Sequence, residues 1–287
     1  MNVDPSGDSL LDSLRSGGPL SRLFRSAAAE TRAAIEQRLA ARPTSALVAA
    51  ILGEAQQQVA QGSEASPLAV LRQCGAGCSA CCLAVSADVT PLEAIVVAEH
   101  LQRTLSAERL ELVHRRLAWN VQRRLQLPPA ERGRARLACG LLDAQGHCEA
   151  YEVRPLVCAG VFSLSREDCD AAARAPTAGP QQVPLDRPAK AWTMGVSGGL
   201  QRALVDAGLD GNLYELNSAV LCALDTPRAA ARYLQSEDLF VDCICTDAHS
   251  PPRRAVAPYR IDPPVTPEQA RARRKLRHKQ YKSLRHQ

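Results

Sequence analysis

Aromatic side chains are scarce, at 3% of 287 residues, and tryptophan and methionine occur twice each. A core short of large rings has to be filled by small and aliphatic residues. The abundance of Ala, Leu and Arg favours helices, because these side chains lose little freedom on entering one. Long apolar runs are missing as well. The longest, "ALVAAIL" and "AIVVA", fall far below the roughly 20 residues of a membrane-spanning helix, so no membrane partner is expected. The opening "MNVDPSGDSLLDSLRSGG" has acids and no apolar stretch of signal-peptide length, which points to a cytoplasmic location. No glycine-rich phosphate-binding motif and no internal repeat is present, so nothing in the sequence points to a nucleotide cofactor.

Cysteine is not scarce. The chain has 11, an odd number that a framework of paired disulfides within one chain cannot use up. A reducing compartment disfavours structural disulfides in any case. Four fall within "CGAGCSACC", at Cys74, Cys78, Cys81 and Cys82. On a helix these positions would share an arc of about 100°. Gly75 and Gly77 each cost a helix about 0.8–1 kcal/mol and suit a metal-binding knuckle instead. Both arrangements bring the sulfurs together, and the sequence leaves the choice open. Four more lie in "CGLLDAQGHCEAYEVRPLVCAGVFSLSREDC", at Cys139, Cys148, Cys158 and Cys169. Buried thiols packing as small apolar groups explain scattered cysteines, not two such concentrations.

Four plus four thiols suit two tetrahedral centres, or one larger cluster with an additional ion. Thiolates hold zinc at about 2.3 Å and also hold iron–sulfur clusters. Adjacent Cys81 and Cys82 are expected to serve different ions or to bridge. A divalent ion with four thiolates has a net negative charge, which needs compensating donors. Arg154 in "YEVRP" is placed to supply positive charge, Tyr151 to donate a hydrogen bond to sulfur, and Pro155 to stiffen the approach to Cys158. His100 and His114 read as core or surface residues.

The segments "CGAGCSACC", "VTPLEAIVVAEHL" and "GHCEAYEVRPLVC" resemble the YkgJ-type cysteine-cluster family, a zinc- or iron-chelating domain. Its pattern is similar to C-x2-C-x2-C-C followed by C…G-x-C-x-x-Y-x-x-R-P-x-x-C. The resemblance covers about residues 70–170. It implies as metal ligands Cys74, Cys78, Cys81, Cys82, Cys139, Cys148 and Cys158, with Cys169 as an eighth. The first gap is three residues here rather than two, and Ala159 stands where arginine is common. Flagellin lysine N-methylases carry a similar cluster, so a methyl-transfer or redox enzyme is the alternative to a plain chelator.

The expected fold is mainly α: a small helical domain organised around a cysteine-rich metal cluster, with flanking helical segments. The division is residues 1–68, N-terminal helices parted near Pro43, with Thr44 capping the second; 69–172, the cysteine domain; 173–191, a proline-rich linker or loop; 192–248, a helical region; and 249–287, a basic tail. Thr90, Pro91 and Glu93 spell a capping box. A second helix is expected from Ser106 to just before Pro128, its arginines forming a solvated face. Cys222 reads as a buried inert thiol. Cys243, Cys245 and His249 offer a loose additional ligand set. Eight of the 35 basic residues lie between Arg271 and Arg285, so residues 266–287 suit nucleic acid or an acidic protein partner as well as plain solvation.

Overall fold

The computed structural model describes residues 10–40, 44–75, 77–132, 135–174 and 183–244. It is mainly α. In chain order the elements are α1 (Leu10–Arg15), α2 (Pro19–Leu39), α3 (Ser45–Glu64), α4 (Ala80–Ala84), β1 (Asp88–Val89), α5 (Pro91–Thr104), α6 (Ala107–Leu125) and α7 (Pro129–Arg132). There follow α8 (Leu156–Ala159), α9 (Arg166–Arg174), α10 (Arg187–Asp206), β2 (Tyr214–Glu215), α11 (Leu216–Leu224) and α12 (Ala229–Leu234). No helix among the described residues is long and apolar enough to cross a membrane.

Local signals explain most helix starts. Thr90 and Glu93 form the expected capping box, with Pro91 in the first turn, and the Ser106 hydroxyl accepts from the Arg109 amide to begin α6. Thr44 does occupy the N-cap of α3, but its side chain makes no capping hydrogen bond. Pro43 lies outside the described residues. Helix α10 begins at Arg187, inside the stretch expected to be a linker. The reason is Asp186, which is fully buried and accepts from the Ala189 amide at 3.0 Å, so it acts as a cap. Of the rest of that stretch, residues 173–174 end α9 and residues 183–186 lead into this cap.

Two helical groups share one apolar core that includes Ile35, Ile51, Ile95, Leu117, Leu200 and Val220. In the first group α10 packs along α2 and α3. Small residues make this approach close: a Cβ added at Gly195 or Gly199 would collide with the carbonyls of Phe24 and Ala28. Trp192 fixes the register on α3 by donating from Nε1 to the Gln58 carbonyl at 2.8 Å. In the second group α5 packs against α11 and α12, and α6 packs on α11. The short antiparallel pairing of β1 with β2 sets Asp88 opposite Glu215 and Val89 opposite Tyr214. Residues before and after the cysteine-bearing middle thus contribute to one core.

The α2–α10 contact leaves no room for a side chain. Gly195→Val is expected to lower stability by about 1–3 kcal/mol through overpacking. Urea denaturation followed by far-UV circular dichroism measures it; an unchanged midpoint would show that these helices can separate at no cost.

Candidate metal centre

The first four cysteines do not share a helix. Helix α4 begins only at Ala80, after a bend at Gly77, whose φ of 80° lies in the left-handed region that glycine tolerates. The knuckle alternative therefore describes Cys74 and Cys78, while Cys81 and Cys82 sit together on α4. Residues from the second cysteine segment fasten this knuckle. The Gln73 amide donates to the Ser163 carbonyl at 2.9 Å, and the Arg166 amide donates to Gln73 Oε1 at 2.8 Å. Between them, the Ser163 amide donates to Cys74 Sγ at 3.0 Å. Cys169 lies on α9, which packs against α4, and it hydrogen-bonds with the Ser163 side chain.

Upstream, Arg72 anchors the same strand of chain. Its guanidinium pairs with the buried carboxylate of Asp186 at 2.8 Å and stacks 4.0 Å from the Phe162 ring centroid. Asp186 also accepts from the Ser66 hydroxyl at 2.7 Å. One carboxylate therefore caps α10 and holds the approach to Cys74.

The remaining cysteines gather around the end of α4. The Cys139 amide donates to the Cys82 carbonyl at 2.8 Å. From Cys139 the chain makes a tight loop, closed by a bridge between Leu142 and Cys148 and turned at Gly146. The Tyr151 amide donates back to the Cys148 carbonyl at 3.2 Å. Cys158 lies on α8, and Glu93 fixes the start of that helix. Glu93 is buried, accepts from the Thr90 amide and hydroxyl through Oε2, and accepts from the Leu156 amide through Oε1 at 2.9 Å.

A buried polar network grips the Cys139 loop from behind. Asn120 Nδ2 donates to the Ala138 carbonyl at 2.7 Å, and the Gly140 amide donates to Asn217 Oδ1 at 2.7 Å. Arg116 Nε donates to the Gly140 carbonyl at 3.0 Å. Behind the asparagines stands an ion pair, Arg124 to Glu215 at 3.3 Å, with the two side chains 1% and 0% exposed. Arg124 Nε also donates to Asn120 Oδ1, and Asn217 Nδ2 donates to Glu215 Oε1. The expected solvated face of α6 is therefore only partly solvated. The arginines of α6 look alike in sequence; what distinguishes Arg124 is a carboxylate far along the chain, and no local pattern announces it.

The thiols lie in one another's electric fields. Cys81 is pulled down to about 6 by its hydrogen bond with Cys82 and by the positive charge of Arg154, and the two sulfurs are 4.0 Å apart. Cys82 moves the other way, because the pair shares a proton and because burial disfavours its charge. Burial pushes Cys139 up to about 12 and Cys158 well above the ordinary thiol value. Burial also raises Cys148, against the pull of the Ala150 amide and Arg154, and raises Cys74 and Cys169. Arg154 stacks 4.4 Å from the Tyr151 ring centroid. Tyr151 is half exposed, and the hydrogen bond it makes toward a cysteine is the backbone one to Cys148 rather than one from its hydroxyl to sulfur.

Among the described residues no group of three or more His, Cys, Asp or Glu side chains is arranged to hold a metal ion as it stands. Rotation about χ1 moves a sulfur between staggered positions without moving the backbone. Other candidates lie apart. His114 Nε2 is 2.8 Å from Asp225 on the surface, and His100 is buried in α5. Cys222 is half-buried and donates to the Leu239 carbonyl at 3.2 Å; Cys243 is buried beside the Ser218 carbonyl. Cys245, His249 and the basic tail lie outside the described residues.

Removing one member of a buried ion pair strands the other, which costs about 3–5 kcal/mol. Glu215→Ala is expected to lower stability by that amount in urea denaturation. A loss under about 1 kcal/mol would mean that water reaches Arg124.

Residues 73–174 match the family model described as "CxxCxxCC: Putative zinc- or iron-chelating domain". No curated protein and no solved structure matches the chain. The matched span begins at Gln73, which is bonded to Ser163 and Arg166, and it contains all eight cysteines of the two segments. Over residues 73–174 the chain is thus similar to the domain that this family model describes.

Proposed function

We propose that this protein chelates zinc or iron through the thiolates of Cys74, Cys78, Cys81, Cys82, Cys139, Cys148, Cys158 and Cys169. Arg154 offsets their negative charge, and Tyr151 orients Arg154 by stacking. The observation that carries this reading is the bond from the Cys139 amide to the Cys82 carbonyl, which joins the two cysteine segments at the point where their thiols feel one another's charge. The donor set fits the ion: sulfur is the ligand that zinc and iron–sulfur centres share, and a guanidinium stands beside the thiols to balance their charge. Closed four-thiolate sites bind metal as part of folding, with apparent energies of about 10–16 kcal/mol for structural zinc. A folding and chelating role follows from such sites more directly than an open catalytic position does.

Elemental analysis of anaerobically purified protein tests the reading. Near-stoichiometric zinc without colour, or brown protein with iron and sulfide, is expected; wild-type protein with free thiols that takes up neither metal would overturn it. Chelation of the bound ion is expected to reduce helicity and open residues 70–170 to proteolysis.

The thiols that burial holds protonated must lose their protons to bind. Because Cys139, Cys148 and Cys158 all titrate above the ordinary value, metal uptake at neutral pH releases protons. Raising the pH removes that competition, so the apparent Kd should fall between about pH 6 and pH 8. Zinc titration in weak buffer with a pH indicator reads both effects, and a pH-independent Kd would argue against thiolate ligation.

A further inference from the structure

A cavity of about 300 Å³ opens between α5 and the turn that joins α11 to α12, and none of the cysteines lines it. Ile95, Glu99 and Gln102 border it from α5, while Leu224, Pro227 and Arg228 border it from the turn. Spacings of three, four and seven residues put the α5 members on one side of that helix. We propose that this cavity binds a free α-amino acid with an apolar side chain. The ligand's ammonium meets Glu99 and Gln102, its carboxylate meets Arg228, and its side chain lies against Ile95 and Leu224. The site is independent of the chelating function, and the turn bearing Arg228 lies beyond the matched span of 73–174.

The charges carry the inference. Opposite charges bordering one small cavity attract each other, and a direct ion pair is the simplest outcome. Yet among the described residues the side chains of Glu99, Gln102 and Arg228 make no ion pair and no hydrogen bond. Glu99 is half-buried, and burial raises its proton affinity against the pull of Arg103 one turn along α5. Its carboxylate is thus partly desolvated without a bonded partner, a cost that a bound cation offsets. On the other wall the backbone of Arg228 is held at φ 53° and ψ 41°, a left-handed conformation that is unfavourable for a residue with a side chain. A ligand with one charge would leave either Glu99 or Arg228 unpaired, whereas a zwitterion satisfies both.

The remaining lining narrows the ligand further. The Glu99 carboxylate and the Gln102 carbonyl are two acceptors on one helix side, which suits a primary ammonium with its three N–H donors. Ile95 is fully buried, and with Leu224 and Pro227 it offers an aliphatic wall. The volume stands at the lower end of the roughly 300–1,000 Å³ of small-molecule sites, a size for a small metabolite.

Isothermal titration calorimetry of the full chain against L-alanine, L-valine, L-leucine, L-isoleucine and L-methionine tests the site. At least one is expected to bind. Its N-acetylated form lacks the ammonium and its amide lacks the carboxylate, so each should bind at least about ten-fold more weakly, through loss of a hydrogen bond to a charged group. Failure of all five to bind at millimolar concentration, or equal affinity for the amino acid and either derivative, would overturn the proposal. Glu99→Gln should weaken binding of the amino acid and leave that of the N-acetylated form unchanged. Arg228→Gln should weaken the amino acid and leave the amide unchanged. A variant that weakens both derivatives alike would show that the residue acts through the fold rather than by contact, and would also overturn it. The wild-type comparison of amino acid with derivatives stands without either variant.

Discussion

The ion pair of Arg124 and Glu215 is the interaction on which the arrangement of the cysteine-bearing chain depends. Neither charge can be solvated, so each has to be satisfied by fixed partners. Glu215 binds Asn217, the Ser218 amide and Arg124; Arg124 binds Asn120 and the Arg132 carbonyl. The two asparagines are left with one free polar atom each to offer, and they offer it to the peptide groups on either side of Cys139. Electrostatic necessity in the core thus becomes positional accuracy at a thiol. The alternative, an apolar core of the same volume, could be as stable but would leave the backbone around Cys139 without specific partners.

Helices announced by local chemistry could be read directly. The capping box at Thr90, the cap at Ser106 and the end of α6 before Pro128 need only short-range geometry, and the mainly α architecture follows from composition. The start of α10 could not be read the same way. Prolines at 184 and 188 resemble a linker until Asp186 is seen to be buried against Ser66 and Arg72, more than a hundred residues earlier. Thr44 had the right identity and position for a cap, yet its hydroxyl is not used. The buried role of Arg124 was likewise hidden, because burial of a charge is decided by its distant partner.

For the cysteines, spacing and family resemblance singled out the residues, and the family match covers the span in which they lie. Spacing did not reveal how they associate. Gly77 breaks the run so that Cys74 and Cys78 precede the helix bearing Cys81 and Cys82, and Ser163 reaches across from the second segment to meet the first. Both facts belong to tertiary structure. The opposite shifts of the adjacent Cys81 and Cys82 come first from the hydrogen bond between them, with burial raising Cys82 further and Arg154 helping to lower Cys81.

The pairing of β1 with β2 has a consequence for the boundaries of the matched domain. Asp88 and Val89 lie inside the span 73–174, whereas Tyr214 and Glu215 lie beyond it. A fragment cut to the matched span would therefore surrender its strand partner, the counter-ion of Arg124 and the apolar cover that α11 lays over α5. What a family profile delimits as a module is here completed by residues from elsewhere in the same polypeptide, and evolutionary and mechanical units do not coincide.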